Sequence, residues 1–439
     1  MGEDVRPRVV VVGSGMAAVM TLSALAETAG PAQRLTVLDP APLSGEAFAA
    51  AAPEHLLNTR ARVMGLTAPT IDGFCRFVAQ AQGVREEEAA TAFAPRSLYG
   101  RFLKEGLEQA IATLQRRGWS VRRRRAVAQG LIRQGGGWIV DTDRGPLPAD
   151  RVVVAIGPDR AEPFPGAISP WALTRSHAKA DKVLIIGAGL TAADAAVRLA
   201  GLGHQGALTL VSPGPGLPFA QAAAAPEPAR VTEPPLTQSP AALLGALRGI
   251  IAAGVAKGDD WRAAMDALRP LTPGLWAGLP TPARRRLLQS RRLLAWSRHR
   301  HRLPPQTAGV LEVLSAQGRL LVRRDAVTAV EPGAVVLRQA GRQSFDLIVD
   351  ARGFDLSYRR NGLVQQMIAS GAAKPCPTGY GLAPDPRLQV GDGIYALGAV
   401  LSGALLETTA APEIREQAGR IARALNEDAL RQASCPHRR

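Results

Sequence analysis

Six residues near the start of the chain have the types and the spacing needed to hold a pyrophosphate. They directly follow four valines and read Gly13, Ser14, Gly15, Met16, Ala17 and Ala18. In such a GxGxxA turn the first glycine permits a tight turn, the second lets the backbone approach the phosphates, and the small last residue lets the helix pack closely on the strand. The N–H groups at the start of that helix favour a negatively charged group. Asp39, 24 residues after Gly15, ends the next apolar run and is placed to accept hydrogen bonds from ribose hydroxyls.

The same device occurs a second time, in the middle of the chain. It follows the apolar run 183–186, and its candidate nucleotide-binding residues are Gly187, Gly189, Leu190 and Thr191. The next apolar run ends at Ser212, which offers one hydrogen bond and no charge, and no arginine follows before Arg230. The second turn therefore predicts a site for NADPH or NADH with little discrimination between them. The alternative is a module that keeps its fold and has lost the nucleotide.

Two strand–turn–helix–strand units predict an α/β fold with two Rossmann-like dinucleotide-binding domains. Apolar runs at 151–158 and 345–354 predict further strands. We expect a first domain that is split in sequence, formed by residues 1–175 and 346–439, and a second domain formed by residues 176–345.

The second domain contains a stretch that does not follow the strand–helix alternation. Residues 213–240 are rich in Pro and Ala and predict a loop or lid, whereas residues 241–302 have a helical pattern that ends in many arginines. We therefore expect a helical insertion in the second domain. The final helix is predicted over 411–425, with Pro412 in its first turn.

Composition narrows the function classes. The chain has 439 residues and a net charge of +16, but aromatic residues make up only 4 % of it, which argues against a stacking platform for nucleic acid. The three cysteines form no CxxC pair, which excludes disulfide reductase chemistry of that type. His299 and His301 have no third ligand nearby, so no metal site is predicted. A charged start and the lack of an apolar run of about 18 residues predict a cytoplasmic protein that does not span a membrane.

Several longer segments resemble a known family and occur in the same order as in that family. They are PEHLLNTRARVMGL (53–66), FAPRSLYGRFL (93–103), SRHRHRLPP (297–305) and IYALGAVLSGALLETTAAPEIREQA (394–418). Over nearly the whole chain the sequence resembles the YdhS-like FAD/NAD(P)-binding proteins. More remotely, it is similar to class B flavin monooxygenases and N-hydroxylating flavoenzymes.

The resemblance implies bound FAD at the first turn and a catalytic role for Asn58 beside the flavin and the nicotinamide. The sequence departs from the family pattern at Arg60, where proline is frequent, and at Leu66, where phenylalanine is usual. Further residues that the resemblance implies near FAD are Val127, Gly157, Gly398, Ala399, Thr408 and Thr409. Ala399 stands where many related flavoproteins have an aspartate, so the N–H groups of Gly398 and Ala399 are expected to serve instead. For Thr409 the alternative is a helix cap.

Three functions fit these observations. The first is an FAD-dependent oxidoreductase that uses NAD(P)H, most specifically a monooxygenase that hydroxylates a small molecule with molecular oxygen. The second is an FAD-dependent dehydrogenase or oxidase that acts directly on its substrate and has a silent second module. The third is a basic flavoprotein without catalytic activity that binds an acidic partner through the Arg-rich residues 284–302. Bleaching of the flavin by NAD(P)H would support the first function, bleaching by substrate alone the second, and bleaching by neither the third.

Overall fold

The computed structural model describes residues 6–28, 30–41, 48 and 51–434. The strands of this part of the chain are β1 (Arg8–Val12), β2 (Arg34–Leu38), β3 (Ser120–Arg124), β4 (Ala128–Gln134), β5 (Gly137–Thr142), β6 (Leu147–Ala149), β7 (Arg151–Val154), β8 (Asp159–Arg160), β9 (Lys182–Ile186), β10 (Ala207–Ser212), β11 (Leu320–Arg324), β12 (Val327–Glu331), β13 (Ala334–Leu337), β14 (Gly341–Ser344), β15 (Leu347–Asp350), β16 (Phe354–Asp355), β17 (Gln389–Gly391) and β18 (Ile394–Ala396).

The helices divide into those that cover the sheets and those of the insertion. In chain order they are α1 (Met16–Glu27), α2 (Gly73–Gln82), α3 (Glu86–Thr91), α4 (Arg96–Arg116), α5 (Leu190–Gly201), α6 (Pro240–Ala256), α7 (Trp261–Ala267), α8 (Thr272–Gly278), α9 (Thr281–Leu288), α10 (Arg291–Arg300), α11 (Pro305–Ala316), α12 (Gly362–Ala369), α13 (Ser402–Leu405) and α14 (Ala411–Ser434). The final helix is thus longer than the predicted 411–425.

The first sheet has the strand order β17-β18-β7-β1-β2-β3, and all neighbours are parallel except β17 and β18. The four consecutive valines of β1 are buried because the sheet is covered on both faces, which suits β-branched residues in a parallel strand. Helix α1 packs against α4 and α14. The predicted first βαβ unit, β1–α1–β2, is therefore present.

The second sheet, β11-β10-β9-β15, is entirely parallel. Helices α5 and α11 cover one face, where Val183 and Ile185 lie in the same apolar cluster as Leu199 and Leu311. The antiparallel strands β12, β13 and β14 cover the other face. The second predicted βαβ unit, β9–α5–β10, is also present, and the predicted fold class is confirmed.

The chain crosses between the two sheets twice, and the two crossings pair with each other as the short strands β8 and β16. The sequence-based boundary at residue 346 assigns β15 to the first domain, whereas β15 pairs with β9 in the second sheet. Likewise Leu173, which precedes the expected boundary at 175, is buried in the core of the second domain. We propose domain boundaries at the β8–β16 pair, where no sheet is interrupted.

The predicted helical insertion is present as α6 to α10, and the Pro- and Ala-rich stretch is anchored rather than open at its start. Three guanidinium groups hold consecutive parts of it by donating to main-chain carbonyls. The pairs are Arg298 Nε to Leu217 O at 2.6 Å, Arg262 Nε to Ala220 O at 2.8 Å and Arg60 Nη2 to Ala222 O at 2.7 Å. Since these arginines belong to both domains, residues 217–222 bind the insertion to the first domain.

A buried ion pair joins α4 of the first domain to α5 of the second domain. Arg96, at the start of α4, lies 2.9 Å from Asp194 on α5, and the two side chains are 15 % and 7 % exposed. Arg198, one turn further along α5, reaches Glu54 at 3.1 Å. Burial raises the pKa of Asp194 to about 6, against the opposing effect of Arg96. The carboxylate of Asp194 therefore depends on Arg96 to remain charged at neutral pH.

We expect Arg96→Met to lower the free energy of unfolding by about 3 kcal/mol at pH 8, because it leaves an ionised carboxylate buried without its partner. The loss should be smaller at pH 5. The pKa of Asp194 is about 6 with Arg96 in place and rises further without it, so at pH 5 the carboxyl is protonated in both folded proteins and the loss develops only as the pH rises above that value. Urea-induced unfolding at the two pH values measures both quantities.

The matched control is Arg76→Met, since Arg76 pairs with Asp72 at the surface and both side chains are 51 % exposed. An exposed pair contributes about 1 kcal/mol or less. Equal losses for the two variants, or a larger loss for Arg96→Met at pH 5 than at pH 8, would contradict the role given to the Arg96–Asp194 pair.

Candidate functional site

The first glycine turn is locked at one residue and open at another. Gly13 has φ +113°, its N–H donates to Leu38 O at 2.7 Å, and a Cβ atom there would approach Ala155 O to less than 3.0 Å. Gly15, at the N-cap of α1, has no atom within 4 Å of the place where a Cβ would stand. The turn therefore presents open backbone at Gly15 and at the first N–H groups of α1, which is the requirement for a bound pyrophosphate.

Asp39 is held by the turn itself. Its Oδ2 accepts from the Ser14 N–H at 2.6 Å and from the Ser14 hydroxyl at 2.8 Å, while its Oδ1 accepts from the N–H of Ala41 at 2.9 Å. A carboxylate offers about four acceptor positions, so roughly one is left for a ribose hydroxyl. Ser14 thus orients Asp39, a role that the GxGxxA motif does not predict for its second residue. Of the other turn residues, Ala18 is fully buried and Ala17 nearly so, whereas Met16 is half-buried.

Val127 lies three residues beyond the end of β3, at the same edge of the sheet as Asp39. Both of its main-chain groups bond to Asp143: its N–H donates to the carboxylate at 2.8 Å, and its carbonyl accepts from the Asp143 N–H at 3.2 Å. The side chain is 42 % exposed. Because its main-chain groups are engaged, only the side chain of Val127 is available for the predicted contact with the cofactor.

Gly157 lies just before the first crossing between domains. It has φ +73°, and its carbonyl accepts a hydrogen bond from the Tyr358 hydroxyl at 2.6 Å. Tyr358 follows the second crossing, and burial raises the pKa of its phenol. This hydrogen bond ties the two crossings together beside the carboxyl end of β7.

Two of the predicted residues in the 398–409 segment, Gly398 and Thr408, are hydrogen-bonded within the protein. The N–H of Gly398 donates to Gln417 Oε1 at 2.8 Å, Gln417 Nε2 donates to the Thr408 hydroxyl at 2.7 Å, and that hydroxyl donates to Gly398 O at 3.1 Å. The expectation that the Gly398 N–H and Thr408 serve the cofactor directly does not match this arrangement, since these groups close a ring with Gln417. Ala399 is 3 % exposed, and Thr409 is exposed. Gln417 carries no sequence signal that would have indicated its part.

The second glycine turn repeats the geometry of the first. Gly187 has φ +127°, its N–H donates to Val211 O at 2.8 Å, and a Cβ there would meet Ala351 O within 3.0 Å. Gly189 caps α5 and has nothing within 4 Å of a Cβ position. Leu190 and Thr191 then form the first turn of α5. The space that a pyrophosphate needs is therefore kept at this turn as well.

Ser212 lies beside arginines that are distant in sequence. Its hydroxyl accepts from the Gly214 N–H at 3.1 Å, and in the sheet it is in register with Arg324 of β11, while Val211 is in register with Arg323. Chain order does not predict this arginine as a neighbour of Ser212, because its strand begins more than 100 residues later. Arg324 is exposed and lies on the same face of the sheet as Ser212.

The main chain of Asn58 is fixed by a buried relay from the insertion. Gln221 Nε2 donates to Asn58 O at 3.2 Å, and Gln221 Oε1 accepts from Arg302 Nε at 2.9 Å. Arg302 is 1 % exposed and places Nη2 2.7 Å from both carboxylate oxygens of Asp266. The structure thus brings the predicted catalytic residue to the boundary between the first domain and the insertion.

The Arg-rich end of the insertion points inward. Arg300 is 7 % exposed and bonds to Glu407 at 3.1 Å, and Arg269 pairs with Glu413. Together with the inward bonds of Arg298 and Arg302, this leaves little of the 298–302 segment for an acidic partner.

His301 hydrogen-bonds through Nδ1 to the Ser297 hydroxyl at 2.9 Å, and burial lowers its pKa to about 4. In the described ranges, no group of three or more His, Cys, Asp or Glu side chains could hold a metal ion.

A cleft of about 700 Å³ lies between the domains next to this region. On the first-domain side it is lined by Arg60, Glu88 and Phe93, and the guanidinium of Arg60 lies 4.6 Å from the centre of the Phe93 ring. Ala223–Ala225 and Pro305 line the other side. Arg60, two residues after Asn58, is among its lining residues, so the cleft lies at the domain boundary near Asn58 in sequence.

The comparisons with known proteins agree with this architecture. A protein-family model described as FAD-NAD(P)-binding matches residues 10–159. No curated protein matches the chain. In the part of the chain that the structure covers, no helix has both the length and the apolar character to cross a membrane.

Solved structures with the same fold come from several functional groups. FAD-bound DfoA, a cadaverine monooxygenase of desferrioxamine biosynthesis from Erwinia amylovora, has a TM-score of 0.67 and 13 % identity, with 94 % of this chain and 93 % of that chain covered. Ornithine hydroxylase PvdA from Pseudomonas aeruginosa has a TM-score of 0.63 and 17 % identity over 97 % and 99 % of the two chains. Thioredoxin reductase from Lactococcus lactis has a TM-score of 0.54 and 10 % identity over 97 % and 100 %. At these identities the likeness establishes the two-dinucleotide flavoprotein fold.

The two glycines of the first turn should respond differently to the same small change. Gly13→Ala should lower the free energy of unfolding by about 2 kcal/mol or more, because the residue needs a positive φ and its new Cβ would overlap Ala155 O. Gly15→Ala should stay within about 1 kcal/mol of the wild type, because the Cβ enters open space. Urea-induced unfolding of the ligand-depleted proteins measures both. A Gly15→Ala loss that equals the Gly13→Ala loss would contradict the assignment of one locked and one open position.

Proposed function

We propose that the protein is an FAD-dependent oxidoreductase that uses NAD(P)H, and more specifically a flavin monooxygenase that hydroxylates a small molecule. The observation that supports this best is the presence of two glycine turns of the same geometry, each with open backbone at its second glycine. The packing of the strands requires glycine at 187 in any case, but a Cβ at Gly189 would meet no atom within 4 Å, so a ligand and not packing accounts for glycine there. The fold shared with an FAD-bound cadaverine monooxygenase adds to the argument.

The first turn would hold FAD and the second the nicotinamide nucleotide. Gly15 and the first N–H groups of α1 would face the pyrophosphate of FAD, and Asp39 would accept from its ribose. FAD bound there would supply the acceptance of a hydride from the nicotinamide and the activation of molecular oxygen, of which one atom would go to the substrate and the other to water. The Gln417 ring would hold the 398–408 segment in one conformation beside this site.

Arg324 favours NADPH over NADH in this proposal. The residue that ends the strand after a glycine turn faces the adenosine ribose, and here that residue is Ser212, with Arg324 next to it in the sheet. A guanidinium beside the 2′ position attracts a phosphate. NADPH should therefore reduce the flavin faster than NADH at equal subsaturating concentrations.

Two substitutions at equivalent positions separate the two sites. Gly15→Val should lose FAD, because a branched side chain would occupy the space for its pyrophosphate. Gly189→Val should retain FAD and lose reduction by NADPH, for the same reason at the other turn. Absorbance of the purified proteins, before and after anaerobic addition of NADPH or NADH, measures both losses.

Each variant is the control for the other, since both place the same side chain at the N-cap of a helix. Stoichiometric FAD in folded Gly15→Val would remove the first turn from the proposal. If the wild type binds FAD and neither nucleotide bleaches it, the second turn is silent and the dehydrogenase or oxidase function replaces the monooxygenase. Equal rates with NADPH and NADH would contradict the role of Arg324.

Asn58 is the residue to which we assign a hydrogen bond near the reacting flavin. Gln221 donates to its main-chain carbonyl and accepts from Arg302, which fixes the backbone position from which the side-chain amide projects. Asn58→Ala should retain FAD and NADPH oxidation but release more hydrogen peroxide per NADPH consumed, because a lost hydrogen bond in a closed site costs about 1–3 kcal/mol. A peroxidase-coupled assay measures that ratio. An unchanged ratio would remove Asn58 from the catalytic machinery.

A further inference from the structure

The helical insertion contains a second opening, which no part of the proposed nucleotide sites uses. It is a crevice of about 60 Å³ between α6, α8 and α10, with Leu247, Trp276 and Trp296 among its walls. An enclosed apolar cavity of about 150 Å³ holds a benzene molecule, so this crevice takes in only part of a molecule of that size and leaves the rest at the surface. It is separate from the cleft beside Arg60, since the two have no lining residue in common.

The walls of the crevice offer almost no hydrogen bonds. The indole N–H of Trp276 already donates to Gly403 O at 3.2 Å, and the hydroxyl of Thr272 already donates to Leu268 O at 3.2 Å. The remaining lining residues are aliphatic or aromatic, apart from Arg292. A polar molecule such as a diamine would lose its hydration here without compensation, whereas a flat apolar molecule would not.

Arg292 is the single charged residue among those that line the crevice. The residue is exposed, near the start of α10, and lines the crevice with its neighbour Leu293. A guanidinium at the mouth of an apolar slot suits a molecule whose apolar body enters first and whose anionic group stays at the surface.

One wall of the crevice is formed by the first domain. Leu406 lines it and has φ +60°, a conformation that residues with a side chain rarely adopt. Thr408, two residues further on, bonds to Gly398 O in the Gln417 ring. Two residues span at most about 7 Å, so the crevice ends close to the segment that we place beside the flavin.

We propose that this crevice binds the substrate and that the substrate is a small, flat, apolar carboxylic acid. The inference rests on the proposed function, because a substrate site presupposes that reaction. The binding of such an acid can be tested without any turnover. It differs in chemistry from the amines named for the monooxygenases of similar fold, ornithine and cadaverine.

Binding is tested with phenylacetate, its neutral isostere phenylacetamide, and cadaverine, each added to the protein as purified with its bound cofactor. Two of the six tryptophans line the crevice, so phenylacetate should change the intrinsic fluorescence in a saturable way. Phenylacetamide should bind two- to fivefold more weakly, as expected for one exposed charge pair. Cadaverine should give no saturable signal. No saturable binding of phenylacetate, or tighter binding of cadaverine, would overturn the proposal.

Variants locate the binding within the crevice, with isothermal titration calorimetry as the readout. Leu247→Trp should fill the crevice and abolish binding, and Val255→Trp, on the exposed side of the same helix, should leave binding unchanged. Because Leu247→Trp can also disturb folding, Arg292→Ala provides a milder change that should remove the preference for phenylacetate over phenylacetamide. Arg291→Ala, its exposed neighbour, should keep that preference. A preference that survives Arg292→Ala would contradict the assignment of the anionic group to this residue.

Turnover separates the crevice from the proposed function. Faster NADPH oxidation by the wild type in the presence of phenylacetate would support both. Binding of phenylacetate without faster oxidation would support the crevice as a site for apolar acids and contradict its use as the substrate site. Fast NADPH oxidation without any binding of phenylacetate would support the proposed function and overturn the assignment of the crevice as a site for apolar acids.

Discussion

The structure depends on one constraint that occurs twice, a glycine held at positive φ between three strands. Gly13 donates to the last residue of β2 and packs its Cα against the carbonyl of Ala155 after β7. Gly187 does the same with Val211, the next-to-last residue of β10, and with Ala351 after β15. Since any side chain at these two positions would collide with the backbone, the approach of the strands to one another requires glycine. The same turns place the N-termini of α1 and α5 at the carboxyl edges of their sheets, where a phosphate can meet them.

The relation between the two edges depends on buried polar contacts across the domain boundary. Arg96 and Asp194 join the domains on one side of α5, and the chain of Arg302, Gln221 and Asn58 joins them on the side of the insertion. A buried ion pair contributes less net stability than its geometry suggests, but breaking it is costly, so it favours one arrangement over others. In this protein that arrangement brings Asn58 and the insertion together at the domain boundary.

Sequence reasoning was sufficient wherever the structure is local. The two turns, the strands around them and the helical insertion follow from short patterns of glycine and apolar residues, and all of them are present. It was insufficient where the contact partner is distant in the chain. The pairing of β15 with β9, the register of Arg324 with Ser212, and the ring formed by Gln417 each join segments far apart in sequence. No local pattern distinguishes Arg324 from other arginines of the chain, or Gln417 from its other glutamines.

The central claim is that both glycine turns hold nucleotides and that a hydride passes directly between them. NADPH that carries deuterium at C4 in one stereochemical position tests it, with the NADP⁺ formed under anaerobic conditions analysed by mass spectrometry. A nucleotide held by Gly189 and α5 can present only one face, so one diastereomer should lose its deuterium completely and the other should retain it. A mixture of labelled and unlabelled NADP⁺ from each diastereomer, or no NADP⁺ at all, would contradict a functional second nucleotide site.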